Sequence, residues 1–203
     1  DMVIPIPSSG TAAAIGFANK SGIMFGEGVI QNRYIGRTFI APDQHMRELG
    51  VQIKFGPMKA GLKGKELVVV DDSMVRGTTL RDFVKLLRKN GAKKIHMRIA
   101  SPPIVGSCFY GVDTPTKEEL VANKFRTKGK VDVDKIRKFL GADSLAYLSL
   151  EGLLKSAGVK MKKKKFDCQK TNFCTACLTG CYKIALTGVE NKFQLEKPAL
   201  TLK

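Results

Sequence analysis

The residues best equipped for chemistry lie in one run, Val68-Val69-Val70-Asp71-Asp72-Ser73-Met74-Val75-Arg76-Gly77-Thr78-Thr79. An apolar stretch leads into two adjacent carboxylates and then a short loop with a glycine and several hydroxyls. Backbone amides at a helix start, reinforced by the helix dipole, hold a phosphate. Gly77 lets the backbone approach a ligand closely, and Ser73, Thr78 and Thr79 add hydroxyl donors. Two carboxylates at a strand end bind the vicinal hydroxyls of a ribose, or magnesium with its water shell. The same residues also suit a plainer role, a capped helix behind a solvated acidic turn, because Asp and Ser are good N-caps. The run is not a Walker A loop, since no lysine follows a glycine at the required place.

The second chemically equipped group is the cysteines, five in number and late in the chain: Cys108, Cys168, Cys174, Cys177 and Cys181. The sequence carries no basic segment followed by an apolar one, hence no secretory signal. A metal or cluster site is therefore expected ahead of a disulfide framework. Cys174-Thr175-Ala176-Cys177 is a Cys-x-x-Cys pair, suited to zinc, a redox dithiol or an iron–sulfur cluster. Its late position in a polar segment argues against a thioredoxin-type motif. Two cysteines cannot complete a tetrahedral site, and Cys168 and Cys181 are expected to be ordinary free thiols.

These groups need elements to position them. Glu66 to Val70 is predicted to be a strand buried on both faces. Leu80, Phe83, Val84 and Leu87 recur on one helical face, predicting a helix over Thr79 to Lys89 that Asn90-Gly91 ends. Ile95, Met97 and Ile99 alternate in a strand over Lys94 to Ala100. Strand, loop, helix and strand make a βαβ unit and a parallel sheet. The phosphate loop then falls beyond the carboxyl ends of the strands, where open α/β sheets place ligands. Met2 to Ile6 reads as a buried strand, Thr11 to Asn19 as a helix, and Ile23 to Phe25 as a short strand. Asn32 to Gly64 reads as a long loop region. Val131 to Leu140 is expected to be a helix with Asp132 as N-cap, followed by a strand over Leu145 to Leu148 and a helix opening at Glu151.

The chain has 203 residues, enough for one domain with a substantial core and some appended structure. Residues 1–158 are expected to form that domain, and residues 159–203 a basic linker, Lys160 to Lys165, with a cysteine-rich extension. The formal net charge of +17 predicts affinity for polyanions: nucleic acid, anionic membrane or a phosphorylated small molecule. No apolar run is long enough to cross a membrane. The chain enters an apolar run directly at Asp1, which reads as a start inside a larger polypeptide.

The acidic pair and Gly-Thr-Thr loop resemble the fingerprint of type I phosphoribosyltransferases. Other stretches narrow the resemblance: Val3-Ile4-Pro5-Ile6-Pro7-Ser8-Ser9-Gly10-Thr11, Asn32 to Ile40, Arg98 to Pro103, Cys108 to Thr114, and Phe139 to Leu145. In this order, from about Asp1 to Tyr182, they resemble the glutamine phosphoribosylpyrophosphate amidotransferases, or amidophosphoribosyltransferases, in their iron–sulfur-containing branch. The resemblance implies an α/β type I phosphoribosyltransferase fold, a mostly parallel sheet flanked by helices. It implies transfer of the phosphoribosyl group from 5-phosphoribosyl-1-pyrophosphate to ammonia, the first step of purine biosynthesis, in the cytoplasm. The family's N-terminal glutaminase domain has no counterpart here, so ammonia would be free or made by such a domain in cis or in trans.

By resemblance, Ser9, Asp71 and Asp72 match magnesium positions. Ser8, Ser9 and Gly10 would form the pyrophosphate loop, although many relatives have an acid at Ser8. Asp71 to Thr79 would bind the sugar phosphate. Arg33, Tyr34 and Arg37 fall in a catalytic loop that closes over the substrate; a solvated basic loop is the alternative. Cys108, Cys174 and Cys177 match three ligands of a [4Fe-4S] cluster, the fourth lying ahead of Asp1 in the family. A homo-oligomer and feedback by purine nucleotides are also implied. The rivals are a regulatory or nucleic-acid-binding protein on the same fold, and an inactive fragment. The charge favours the former, and the lack of a helix-turn-helix or winged-helix segment disfavours it.

Overall fold

The computed structural model describes residues 1–32, 34, 54–159, 167–169 and 171–184. In chain order its elements are β1 (Met2–Pro5), α1 (Thr11–Ser21), β2 (Val29–Gln31), β3 (Phe55–Pro57), α2 (Lys59–Leu62), β4 (Glu66–Asp71) and α3 (Thr78–Lys89). Then follow β5 (Lys94–Ile99), α4 (Val121–Lys124), β6 (Arg126–Thr127), β7 (Lys130–Val131), α5 (Val133–Leu140), β8 (Ser144–Tyr147), α6 (Leu150–Ser156) and α7 (Ala176–Thr179).

The expected parallel sheet is present, with strand order β1-β4-β5-β8. In β4 the run Leu67 to Val70 is buried throughout, as an interior parallel strand requires. On one face, Ala14 and Ala18 of α1 pack against Val3, Val68 and Val70. On the other, α3 inserts Leu80, Phe83, Val84 and Leu87 among Leu67, Val69, Ile95 and Met97. Phe83 is fully buried and meets the Phe55 ring edge-on at 5.2 Å. Burying a side chain of this size stabilises by about 1.5–3 kcal/mol. In β5 the alternation holds: Ile95, Met97 and Ile99 are buried while His96 and Arg98 are half-buried on the opposite face.

Three expectations change. Residues 54–64 are not loop: β3 pairs antiparallel with β2, and α2 follows it. Phe55-Gly56-Pro57 is too short to show a period, so its sequence does not announce a strand. Ile23 to Phe25 contributes only a single bridge, from Phe25 to Val3. Val131 belongs to the β6–β7 hairpin rather than to a helix. Helix α5 begins after Asp132, whose carboxylate accepts the Lys135 N–H at 3.0 Å, the expected cap. Arg33, Arg37 and the Lys160 to Lys165 run lie outside the described residues.

Candidate functional site

Strand β4 ends at Asp71, and α3 begins seven residues later, at Thr78, after a left-handed Gly77, φ +75°. A side chain at Gly77 would be strained in that conformation, and a Cβ there would also lie 3.3 Å from Phe139 and Val121. Neither acid caps α3: its N-cap is Gly77, without a side-chain hydrogen bond. The plainer reading of Asp71-Asp72-Ser73 as helix-capping chemistry therefore does not hold. Asp71 Oδ1 instead accepts the Asp72 N–H at 3.0 Å, and Ser73 Oγ donates to Asp72 Oδ2 at 2.9 Å.

The Ser8–Gly10 turn reaches the same place. A Cβ on Gly10 would stand 2.4 Å from the Val70 carbonyl oxygen, so only glycine allows this approach. It brings Ser9 Oγ within 3.3 Å of Asp71 Oδ1, to which it donates. The Pro7–Ser8 peptide is cis. Helix α1 has Gly10 as its N-cap with no side-chain bond, so neither Ser8 nor Ser9 is spent on capping it.

The two carboxylates differ. Asp71 is 8% exposed, and burial, with Asp72 beside it, pushes its carboxyl up to about 7. Burial also opposes ionisation of Asp72, but hydrogen bonds from Ser9, Asp71 and Ser73 outweigh it and hold that carboxyl below its ordinary value. Two acids this close resist carrying two charges at once. A divalent cation relieves that repulsion, so the donor set fits magnesium with Ser9, Asp71 and Asp72 as its protein groups.

A cavity of about 480 Å³ opens beside Asp71, lined by Asp71, Ser73, Met74, Val75, Arg76, Gly77, Thr78, Thr79 and Leu80, and by Asp113 and Pro115. The fold thus gathers the loop residues expected from the sequence around one space. Asp72, Ser8, Ser9 and Gly10 are not part of its lining. Met74 presents only its backbone to a ligand, because its side chain is buried and accepts from Tyr147 OH at 3.6 Å. Tyr34 is fully exposed, its N–H donating to Asn32 Oδ1 at 3.0 Å. Asp113 and Pro115 were not expected as site residues; only the fold brings them there.

The cysteines divide. Cys168 and Cys181 form a disulfide, contrary to their expected free state. Their pairing depends on the segment turning back on itself, which spacing does not reveal. Cys108, Cys174 and Cys177 are free. Burial pushes the Cys177 thiol up, and the charges of Cys108 and Cys174 push it further. Among the described residues, however, no three or more His, Cys, Asp or Glu side chains stand ready around a metal position. No described helix is long and apolar enough to cross a membrane.

Comparison with known proteins agrees with this geometry. Residues 1–101 match the phosphoribosyl transferase domain family. The chain is 50% identical over 192 residues to amidophosphoribosyltransferase 1, chloroplastic, of Arabidopsis thaliana, covering 95% of this chain and 31% of that protein. It is 45% identical over 203 residues to the Homo sapiens amidophosphoribosyltransferase, covering 92% and 38%. Among solved structures it is similar to glutamine phosphoribosylpyrophosphate amidotransferase from B. subtilis, complexed with ADP and GMP. The TM-score there is 0.75 at 44% identity, over 93% of this chain and 39% of that one. A structure described as the allosteric regulatory enzyme of purine biosynthesis gives 0.78 at 42% identity, over 100% and 41%. The chain spans about a third of the length of the curated relatives it matches. It belongs to the amidophosphoribosyltransferase family, of which it carries the part built on the phosphoribosyl transferase domain.

Proposed function

We propose that the chain binds 5-phosphoribosyl-1-pyrophosphate at the β4–α3 junction and transfers its phosphoribosyl group to ammonia, giving phosphoribosylamine and pyrophosphate in purine biosynthesis. The observation that carries this reading is the bond from Ser9 to Asp71, which lines the loop cavity and has Asp72 beside it, with neither acid used as a cap. Amides and hydroxyls of Ser73 to Thr79 hold the sugar's phosphate at the start of α3. Asp71 and Asp72 accept the ribose hydroxyls, and Ser8 to Gly10 face the pyrophosphate. Magnesium held by Ser9, Asp71 and Asp72 would neutralise charge on the leaving pyrophosphate. The chain's own contribution is positioning and electrostatic stabilisation of an oxocarbenium-like transition state, with no covalent nucleophile. Arg33, Tyr34 and Arg37 belong to the segment that closes over the substrate and excludes water. Cys108, Cys174 and Cys177 would supply three thiolates to a [4Fe-4S] cluster, which takes four, tying the extension to the core. A glutaminase domain supplies ammonia, purine nucleotides inhibit, and copies associate.

The test is ammonia-dependent pyrophosphate release with magnesium and the sugar phosphate. The double change Asp71→Asn, Asp72→Asn is expected to lower turnover by at least about 100-fold while the protein stays folded. Undiminished turnover in that variant refutes the assigned site.

A further inference from the structure

Asp113 and Pro115 line the cavity together with the phosphate loop and form the part of its wall that comes from outside β4 and α3. The segment that carries them, residues 104–117, has no strand or helix of its own. It must therefore be held by bonds to its neighbours, and the structure shows which. Its neck is closed by Ser107 Oγ donating to the Pro115 carbonyl at 2.8 Å and by the Cys108 N–H donating to Thr114 Oγ1 at 2.6 Å. On one side Asn123 of α4 donates from Nδ2 to the carbonyls of Val105, at 3.0 Å, and Lys117, at 2.9 Å. Helix α4 in turn fixes the phosphate loop, since the Val121 N–H donates to the Val75 carbonyl at 2.9 Å.

On the other side the support comes from the cysteine-bearing segment. The Cys177 carbonyl accepts the N–H groups of Val105, at 2.8 Å, and Gly106, at 2.9 Å. Tyr182 OH donates to the Ser107 carbonyl at 2.6 Å, and its ring packs edge-on against Phe109 and Tyr110. Ser107 is thus bonded through its hydroxyl to the pocket wall and through its carbonyl to Tyr182. A Cβ on Gly106 would stand 2.6 Å from the same Tyr182 oxygen, so the hydroxyl fits only because residue 106 has no side chain.

We infer that Tyr182 is a positioning residue for the sugar-phosphate site: it reaches from the cysteine-bearing segment to hold the Asp113–Pro115 wall in its binding position through Ser107. The inference rests on the sugar-phosphate reading of that cavity. A wall holds bound substrate and transition state alike, so its loss weakens binding without slowing the chemical step. Tyr182→Phe keeps the ring contacts and removes only the hydroxyl. Gly106→Ala keeps the tyrosine and displaces its hydroxyl; the backbone of Gly106 is not left-handed, so alanine is otherwise admissible there.

The experiment measures KM and kcat for magnesium 5-phosphoribosyl-1-pyrophosphate with saturating ammonia, and Kd by titration calorimetry, on the 203-residue chain. Each variant should raise KM and Kd roughly tenfold, the loss of one good hydrogen bond, with kcat within about twofold. The two together should be no worse than either alone, because both remove the same bond. Two variants with wild-type Kd overturn the inference while leaving the substrate assignment standing, as does a fall in kcat at unchanged KM. Additive losses also overturn it, since Gly106 and Tyr182 would then act separately. A wild-type chain that binds no sugar phosphate overturns the substrate assignment, and this inference with it.

Discussion

The β4–α3 junction and the segment 167–184 both present chemical groups, but different forces hold them. The first is fixed by burial. Strand β4 is paired on both sides, and beneath its loop lie Leu67, Val69 and Phe83, all fully buried. The second has one four-residue helix and, among its hydrophobic residues, a single buried one, Ala176. It is held by cross-links: the Cys168–Cys181 disulfide, two backbone bonds to the Cys177 carbonyl, the Tyr182 hydroxyl, and Lys183 reaching the Thr171 carbonyl. A site held by burial fails with its core, whereas one held by cross-links fails locally.

The largest expected effect tests the first half of that contrast. Phe83→Ala removes a ring that packs under both the sheet and β3, and should cost about 3–5 kcal/mol. Chemical denaturation should show a large fall in midpoint, with substrate binding lost together with the fold. Leu178→Ala, on the half-buried face of α7, should shift the same midpoint by less than about 1 kcal/mol. Equal shifts in the two variants would erase the distinction.

A smaller effect tests the second half. Reducing the disulfide, or changing Cys168 to Ser, releases a loop with a sequence separation of 13 residues. Closing a loop of this size is worth about 3 kcal/mol in the chain-entropy model. Because few contacts couple the segment to the sheet, that loss should be felt locally. Limited proteolysis should cut within residues 167–184 much faster after reduction, while the denaturation midpoint of the sheet stays nearly constant. A midpoint that falls by the full amount would show that the segment is part of the cooperative core.

The contrast also explains what could be read from the sequence. The Leu67 to Val70 run, the spacing of Leu80, Phe83, Val84 and Leu87, and the Asp132 cap are local patterns, and the fold reproduces them. The loop at the carboxyl end of β4 follows from them. Asp71 and Asp72 are identical in sequence terms, yet only Asp71 is buried, because it is still paired in the strand opposite Ile99 while Asp72 lies beyond it. Asp113 and Pro115 enter the site through bonds with distant residues, and Cys168 finds Cys181 through a turn; neither has a period or motif. The strand at Phe55 is hidden for the opposite reason: it is local but too short to display alternation.

The smallest effect concerns a cross-link inside the buried half. Asp143, just before β8, accepts the Ile95 N–H at 2.7 Å and pairs with the Arg88 guanidinium near the end of α3. Burial works against its charge, but these two partners outweigh burial and hold its carboxyl below the ordinary 3.8. A carboxyl whose folded value lies below its unfolded value binds fewer protons in the native state. Its stabilisation is therefore complete above the unfolded value and is lost as pH falls through the folded one. Asp143 is 34% exposed, so solvent screening limits the contribution to about 1 kcal/mol. Asp143→Asn should lower the denaturation midpoint by about that amount above roughly pH 5, and by progressively less as pH falls below the ordinary carboxyl value of 3.8. A deficit that persists undiminished at low pH would mean that the carboxylate's shape, rather than its charge, joins α3 to the sheet. The buried half would then depend on no ion pair at this point, and the contrast with the cross-linked segment would be sharper still.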